Sequence, residues 1–397
     1  MRREKNTLVK QQLVEWKDLQ KLNTINQAPV IRKSQKGPDF EACAELLQDV
    51  YTTSTGIHTR DQYQPIPQCT LEEVSGVIRR MRKRKASDTT GVILEMFLHG
   101  GNVIQEQLTR LFNEIITSGS IPAGWRESFF ILLHKGGCTQ DANNWRPIAI
   151  LRIAYKMFAR ILHNRIKGTL EASQSHEQYG FRPGRSTTDP LLIAETLISH
   201  SLEYNFDLWL VSIDLRKAFD RVEQDALFCA LEEQGLEPGY RYILQQVYKD
   251  QIGILNENIS FPISRGVRQG DVLSPMLFNA VLEKALSMWK SQLRGCGFYL
   301  QDSFQEDPLT NVRFADDLLL FGKSLDEAVH MIELLASIFK GFGLELNTKK
   351  TKMMSTSVMS NDTVLVDTSA GLIGRYAVSP RTNIWEDHGR ETLQIAD

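Results

Sequence analysis

Asp316 and Asp317 are adjacent carboxylates with apolar chain on either side: Val312-Arg313-Phe314-Ala315 before them and Leu318-Leu319-Leu320-Phe321 after them. Two short β-type arms meeting at a polar pair predict a hairpin over residues 311–321. Like charges held side by side between apolar arms repel strongly, so the arrangement is costly. On its own, an Asp-Asp pair at a turn is ordinarily a solvated turn. Far upstream, however, a second apolar run, Leu208-Trp209-Leu210-Val211-Ser212-Ile213, delivers Asp214 near its end. A fold that brings that strand end to the hairpin gathers three carboxylates in one place. Hard oxygen ligands at that density suit Mg²⁺, which is usually shared between protein carboxylates and substrate phosphates. Asp214 and Asp316 are the first candidate ligands, with Asp317 assisting. Two such ions about 3.5–4 Å apart would serve phosphoryl transfer, with Mn²⁺ as a possible substitute.

The rest of the chain limits what this site can belong to. The 397 residues are 42% hydrophobic and 24% charged, enough for a large core. The net charge of −2 means that a nucleic-acid partner must be argued from local charge. Such clusters exist, the densest being Arg79, Arg80, Arg82, Lys83, Arg84 and Lys85. Cys43, Cys69, Cys138, Cys229 and Cys296 are scattered, with no Cys-x-x-Cys pair, which argues for a reducing compartment. Neither a secretory signal nor a run near the ~20 apolar residues of a membrane span is visible. The expectation is an intracellular protein of nucleus or cytoplasm, not secreted and without a membrane partner.

Helical patterns cover Leu13–Leu22, Phe40–Tyr51, Ile104–Thr117, Leu151–Leu170, Thr187–Leu202, Glu223–Glu233, Pro238–Tyr248 and Ser274–Leu293. Thr70-Leu71-Glu72-Glu73 and Ser324-Leu325-Asp326-Glu327 are capping boxes, opening helices toward Arg84 and Phe342. Ser274-Pro275 reads as an N-cap followed by proline at the first helical position. Strand patterns sit between them at Ser128–Leu133, Leu208–Leu215 and Asn311–Phe321. Interspersed strands and helices predict a mixed α/β or α+β fold.

Taken in order, several segments resemble the reverse transcriptases of LINE-type (non-LTR) retrotransposons, over roughly Arg79 to Met354. Phe314-Ala315-Asp316-Asp317 resembles the catalytic hairpin of that family. Ser212-Ile213-Asp214-Leu215-Arg216-Lys217-Ala218-Phe219-Asp220 resembles its first metal-binding strand. The segment from Ser264 to Pro275, Ser-Arg-Gly-Val-Arg-Gln-Gly-Asp-Val-Leu-Ser-Pro, is similar to the loop and helix that hold template and incoming nucleotide. Asn144-Trp145-Arg146-Pro147-Ile148 and the stretch from Gln178 to Thr187 resemble fingers motifs, and Gly343 to Lys352 resembles the lysine-containing motif after the palm. Each is weak alone; their shared order is a strong signal.

The resemblance implies an α+β right-hand polymerase of fingers and palm, the palm an antiparallel sheet backed by helices. It implies an enzyme, an RNA-directed DNA polymerase, that adds deoxynucleoside triphosphates to a DNA primer on an RNA template, with protein partners unknown. Phe219 would be the steric gate against a ribose 2′-hydroxyl. Lys350 would steady or protonate the leaving pyrophosphate, although Lys349 and Lys352 are close by. Lys135, Arg146, Arg182, Arg185, Arg268, Gln269 and Gly270 would meet nucleotide or template. Gly266 and Gly270 would permit close backbone approach. Boundaries follow as an arm over 1–69, fingers over 70–205, palm over 206–356 and a poorly patterned tail over 357–397.

The chain departs from the family pattern in four places. Lys85-Ala86-Ser87-Asp88-Thr89-Thr90-Gly91 stands where a Pro-Asp-Gly turn is usual, and His134-Lys135-Gly136-Gly137 replaces a Pro-Lys segment. No primer-grip motif follows Lys352, so the thumb reads as missing or degenerate. Endonuclease and Cys/His knuckle segments are not seen, so the chain reads as a fragment. Two alternatives stay open: a catalytically inactive, nucleic-acid-binding remnant of such an enzyme, and a group II intron or retron reverse transcriptase. An RNA-dependent RNA polymerase is disfavoured by Phe219 and by the Ala-Asp-Asp hairpin.

Overall fold

The computed structural model describes residues 37–53, 61–299 and 308–356, together with the backbone of two short strands between 366 and 373. In chain order the strands are β1 (Glu127–His134), β2 (Trp145–Ile150), β3 (Trp209–Ile213), β4 (Gln251–Asn256), β5 (Ile259–Ile263), β6 (Asn311–Phe314), β7 (Asp317–Gly322), β8 (Lys352–Ser355), β9 (Val366–Thr368) and β10 (Gly371–Ile373). Helices fill the intervals, so the fold is α+β. The expected helix over Leu13–Leu22 lies outside the described residues. Among the described residues no helix is long and apolar enough to cross a membrane.

The chain forms two compact units, each assembled from separated segments. The first comprises residues 1–49, 67–161 and 252–261. Its sheet has the order β2-β1-β4-β5. β1 is antiparallel to β2, with Phe130 opposite Ala149, and parallel to β4, with Ser128 opposite Gly253. Phe112, Trp125, Tyr155 and Phe158 form an aromatic cluster with ring centroids 5.4–6.2 Å apart. Phe130 stacks on Phe261 at 5.8 Å, above Gly253, where a β-carbon would strike the Phe261 ring. The altered turn at 85–91 is held by Asp88, which is buried. Its Oδ1 accepts from Thr90 N, Thr90 Oγ1 and Val92 N, and its Oδ2 accepts from Ile153 N. Burial raises the pKa of this carboxyl, but those hydrogen bonds outweigh it and hold the group below the ordinary carboxylate value.

The second unit comprises residues 50–66, 162–251 and 262–397. Its antiparallel sheet has the order β6-β7-β3-β8. β3 is flanked on both sides, Leu210 facing Phe321 of β7 and Met354 of β8. Four of its five residues are buried, which is why its sequence runs nearly continuously apolar instead of alternating. The helix Ser274–Gln292 is buried along most of its length through Leu277, Phe278, Ala280, Val281, Leu282, Ala285, Leu286 and Trp289. An apolar perimeter of that extent marks a core helix. Its Trp289 indole N–H donates to the Met331 carbonyl of the helix Leu325–Lys340 at 2.9 Å. A buried indole N–H needs such a partner.

The two capping boxes act as expected at their caps: Thr70 and Ser324 accept from the backbone N–H of Glu73 and Glu327 at 3.1 and 3.2 Å. The helix after Thr70 ends at Arg80, so the basic cluster straddles its end and does not continue along one helical face. Ser274 is not the cap of its helix. Leu273 holds that position, and the Ser274 hydroxyl donates instead to the Arg268 carbonyl at 2.7 Å.

Candidate active site

Strand register brings the three carboxylates together within the second unit. Ile213 pairs with Leu318, so Asp214 leaves the end of β3 beside Asp317 at the start of β7. Phe314 pairs with Asp317, which closes the β6–β7 hairpin through Ala315 and Asp316. Ala315 has a φ of +57°, a left-handed conformation that costs a residue bearing a β-carbon about 1 kcal/mol or more. The chain stabilises it from outside the hairpin. Gln178 Oε1 accepts from Ala315 N at 3.0 Å and from Gly180 N at 2.8 Å, while Gln178 Nε2 donates to the Ala315 carbonyl at 3.3 Å. Residues 177–180 run beside β6, with Tyr179 N donating to the Arg313 carbonyl and Arg313 N to the Glu177 carbonyl, both at 2.9 Å. Gly180 packs so closely that a β-carbon there would overlap the backbone of Ala315.

Asp214 is held from the other side. Asn347 N donates to the Asp214 carbonyl at 2.8 Å, and Asn347 Nδ2 to Asp214 Oδ2 at 2.7 Å. Lys350 Nζ lies 3.5 Å from Asp214 Oδ1 and is largely exposed. Of the three lysines near the end of that motif, Lys350 makes this ion pair. Asp317 is exposed by accessible area, yet its carboxyl loses enough water to matter. That desolvation, reinforced by the charges of Asp316 and Asp214 and opposed by Lys350, pushes its pKa up to about 6.

The carboxylates therefore repel one another, and the donor set is hard oxygen. Both properties fit a divalent cation. Among the described residues no cluster of three or more His, Cys, Asp or Glu forms a ready-made metal cage. A pH dependence follows. A carboxyl whose pKa is raised by folding binds its proton more tightly folded than unfolded, so stability falls as pH rises from about 4 through 6. In EDTA, the melting temperature of the parent is expected to drop across that window more steeply than that of Asp317→Asn. Equal slopes would show that folding does not raise the pKa of the Asp317 carboxyl.

The remaining candidates divide. Phe219 stacks on Phe278 at 4.5 Å and meets Phe181 edge-on at 6.0 Å, in the turn that follows Asp214. Gln269 Nε2 donates to both oxygens of Asp220 at 2.8 and 2.9 Å. Gly270 is exposed, with a φ of +103°. Arg185 is exposed and lies over the Tyr179 ring at 5.3 Å. Two arginines turn inward. Arg268 is buried and donates to the Val247 carbonyl at 3.2 Å. Arg182 is mostly buried and donates to the carbonyls of Ser175 and Gln178 at 2.5 and 3.2 Å. In this structure both brace loops. Arg146 on β2 and Lys135 just after β1 are exposed on the first unit, where Lys135 Nζ donates to the Asn143 carbonyl at 3.3 Å. Gln178 and Asn347 stood in recognised motifs without a role. Their partners lie 137 and 133 residues away, so no local pattern pointed to them.

Comparison with known proteins follows the same line. The reverse transcriptase (RNA-dependent DNA polymerase) family matches residues 133–372. Over 301 residues the chain is 29% identical to the retrovirus-related Pol polyprotein from type-1 retrotransposable element R2 of Popillia japonica, covering 74% of this chain and 40% of that protein. It is 28% identical over 289 residues to the transposon TX1 uncharacterized 149 kDa protein of Xenopus laevis, covering 72% and 22%. It is 25% identical over 223 residues to the RNA-directed DNA polymerase from mobile element jockey of Drosophila melanogaster, covering 54% and 24%. The chain thus spans less than half the length of these relatives. Among solved structures it is similar to apo telomerase from Candida tropicalis truncated from its C-terminal domain, at 12% identity and a TM-score of 0.44, covering 71% and 66%. More than half of the chain lies within the family match, and the Asp316-Asp317 hairpin lies inside it: the chain belongs to the reverse transcriptase (RNA-dependent DNA polymerase) family, and the relatives it matches are non-LTR retrotransposon proteins.

Proposed function

We propose that this chain is an RNA-directed DNA polymerase that adds deoxynucleotides to a primer 3′-end, with its catalytic centre at Asp214, Asp316 and Asp317. The observation that carries the reading is the convergence of these carboxylates at one end of an antiparallel sheet, with Asp317 titrating at about 6. Asp214 and Asp316 are the principal ligands of two Mg²⁺ ions, and Asp317 assists. When bound, Mg²⁺ held by these carboxylates would supply Lewis acidity for phosphoryl transfer. Lys350, paired with Asp214, would steady or protonate the leaving pyrophosphate. Gln269 and Gly270 face the nucleotide, and Arg185, Arg146 and Lys135 meet template or primer phosphates. In domain terms, residues 70–205 act as fingers and 206–356 as palm. The partners are an RNA template, a DNA primer or target and deoxynucleoside triphosphates, and work on chromosomal DNA would take place in the nucleus.

The test is dTTP incorporation on poly(rA)/oligo(dT) with Mg²⁺. Incorporation that stops in EDTA is the expected result. Folded protein that binds primer–template and incorporates nothing would make the chain a binding remnant. The same assay tests the gate. Phe219→Ala removes the ring that would oppose a 2′-hydroxyl, and is expected to improve ribonucleotide use relative to deoxynucleotide by about tenfold or more. An unchanged ratio would leave Phe219 as packing for Phe278 alone.

A further inference from the structure

Asp220 is a buried carboxylate next to the gate residue, 3% exposed. Such a group is tolerated only where donors satisfy it. The Tyr51 hydroxyl donates to its Oδ1 at 2.5 Å, and Gln269 Nε2 donates to both of its oxygens. Both contacts are made by the NH₂ end of Gln269, which can only donate. The amide carbonyl, Oε1, is thereby turned the other way. From these contacts we infer that Tyr51 and Asp220 are positioning residues for nucleotide selection: they lock the Gln269 amide so that it presents a hydrogen-bond acceptor, not a donor, to the incoming nucleotide.

The inference rests on the polymerase reading above and extends it to a segment upstream of the family match, which begins at residue 133. Tyr51 is itself held to the loop that carries Gln269. Its carbonyl accepts from Ser264 N at 2.9 Å and Arg265 N at 3.2 Å, while Arg265 Nε donates to the Val50 carbonyl at 2.5 Å. Thr53 N donates to Ser264 Oγ at 2.7 Å. On its other side the loop is fastened to the gate turn by Gly266 N on the Val222 carbonyl and Val267 N on the Phe219 carbonyl, both at 2.7 Å. Burial, and then the charge of Asp220, keeps the Tyr51 phenol well above its ordinary pKa, so it remains a donor at every working pH. Residues 50–53 thus strap the loop that carries Gln269, and Asp220 sets which face of the amide looks outward.

Tyr51→Phe keeps the ring and its packing but deletes the donor. The Gln269 side-chain amide signal in a ¹⁵N spectrum is identified by its loss in Gln269→Ala. In Tyr51→Phe its hydrogen exchange should speed up about tenfold, and the KM for dTTP should rise about fivefold. Turnover and primer–template affinity should change little, while the melting temperature should fall, because Asp220 loses a buried donor. Asp220→Asn offers an NH₂ to Oε1, letting the amide turn over, and should raise KM at least as much. Unchanged amide exchange in Tyr51→Phe overturns the positioning role whether or not the protein extends primers. Loosened exchange with unchanged KM, in a parent that does extend, overturns the role in selection alone. A parent that extends no primer overturns the polymerase reading and with it any role in nucleotide selection, while amide exchange still decides whether Tyr51 holds the side chain.

Discussion

Asp316→Asn is expected to reduce nucleotide incorporation by about three orders of magnitude while leaving the melting temperature unchanged or slightly raised. The size follows from removing preorganised charge aimed at a phosphoryl-transfer transition state. The stability effect follows from the site itself. Desolvation first, and then the charge of Asp316, pushes the Asp317 pKa up to about 6, so a neutral amide at 316 relieves the folded protein of a like-charge contact. Primer extension and a thermal melt in EDTA measure the two halves. A variant that retains activity would remove Asp316 from the site. A variant that is inactive because it unfolds would mean that the carboxylate holds the hairpin and says nothing of chemistry.

Gly180→Ala is expected to act through shape alone. The new β-carbon would overlap the backbone of Ala315, and neither partner is the flexible end of a side chain. Segment and hairpin must separate, breaking the bonds of Gln178 to both backbone groups of Ala315. Overpacking at such a contact costs about 3 kcal/mol or more, and displaced carboxylates should lower incorporation by about a hundredfold even in the molecules that fold. Denaturant unfolding and primer extension at a temperature where the variant is folded check both figures. Gln178→Ala should be milder in stability, about 1–3 kcal/mol, because it removes the clamp without forcing the parts apart. A Gly180→Ala protein with parental stability would mean that the close approach relaxes freely.

What the sequence made legible is what local chemistry controls. Thr70 and Ser324 cap their helices because capping needs only a hydroxyl and a backbone N–H three residues on. The β6–β7 hairpin is visible because its apolar arms flank its turn. β3 is visible as an apolar run interrupted only at Ser212, because four of its five residues are buried. The β4–β5 hairpin escaped because Gly253, Asn256, Asn258 and Pro262 interrupt its alternation. That strand pair is held by a partner far away in sequence, Phe130, whose ring stacks on Phe261 of β5 over Gly253. Arginine exposure was likewise hidden. Arg182 and Arg268 sit in motifs that suggest phosphate contact, and only tertiary structure shows that they serve backbone carbonyls. Asp88 is the converse case. The turn lost the expected proline, yet one aspartate satisfies the backbone donors that shape it.

The sheet of the first unit completes itself with residues 252–261, the parallel partner of β1 being β4. A ribosome must therefore translate residues 162–251 of the second unit before β1 can acquire its neighbour. Until then β1 presents an open edge, the kind of surface that templates association between chains. Pairing across that interval is also entropically slow. The order of synthesis and the order of folding are thus interleaved: the unit begun first is finished only after much of the other has emerged, and nascent chains released before residue 261 would carry an unfinished sheet and a tendency to aggregate.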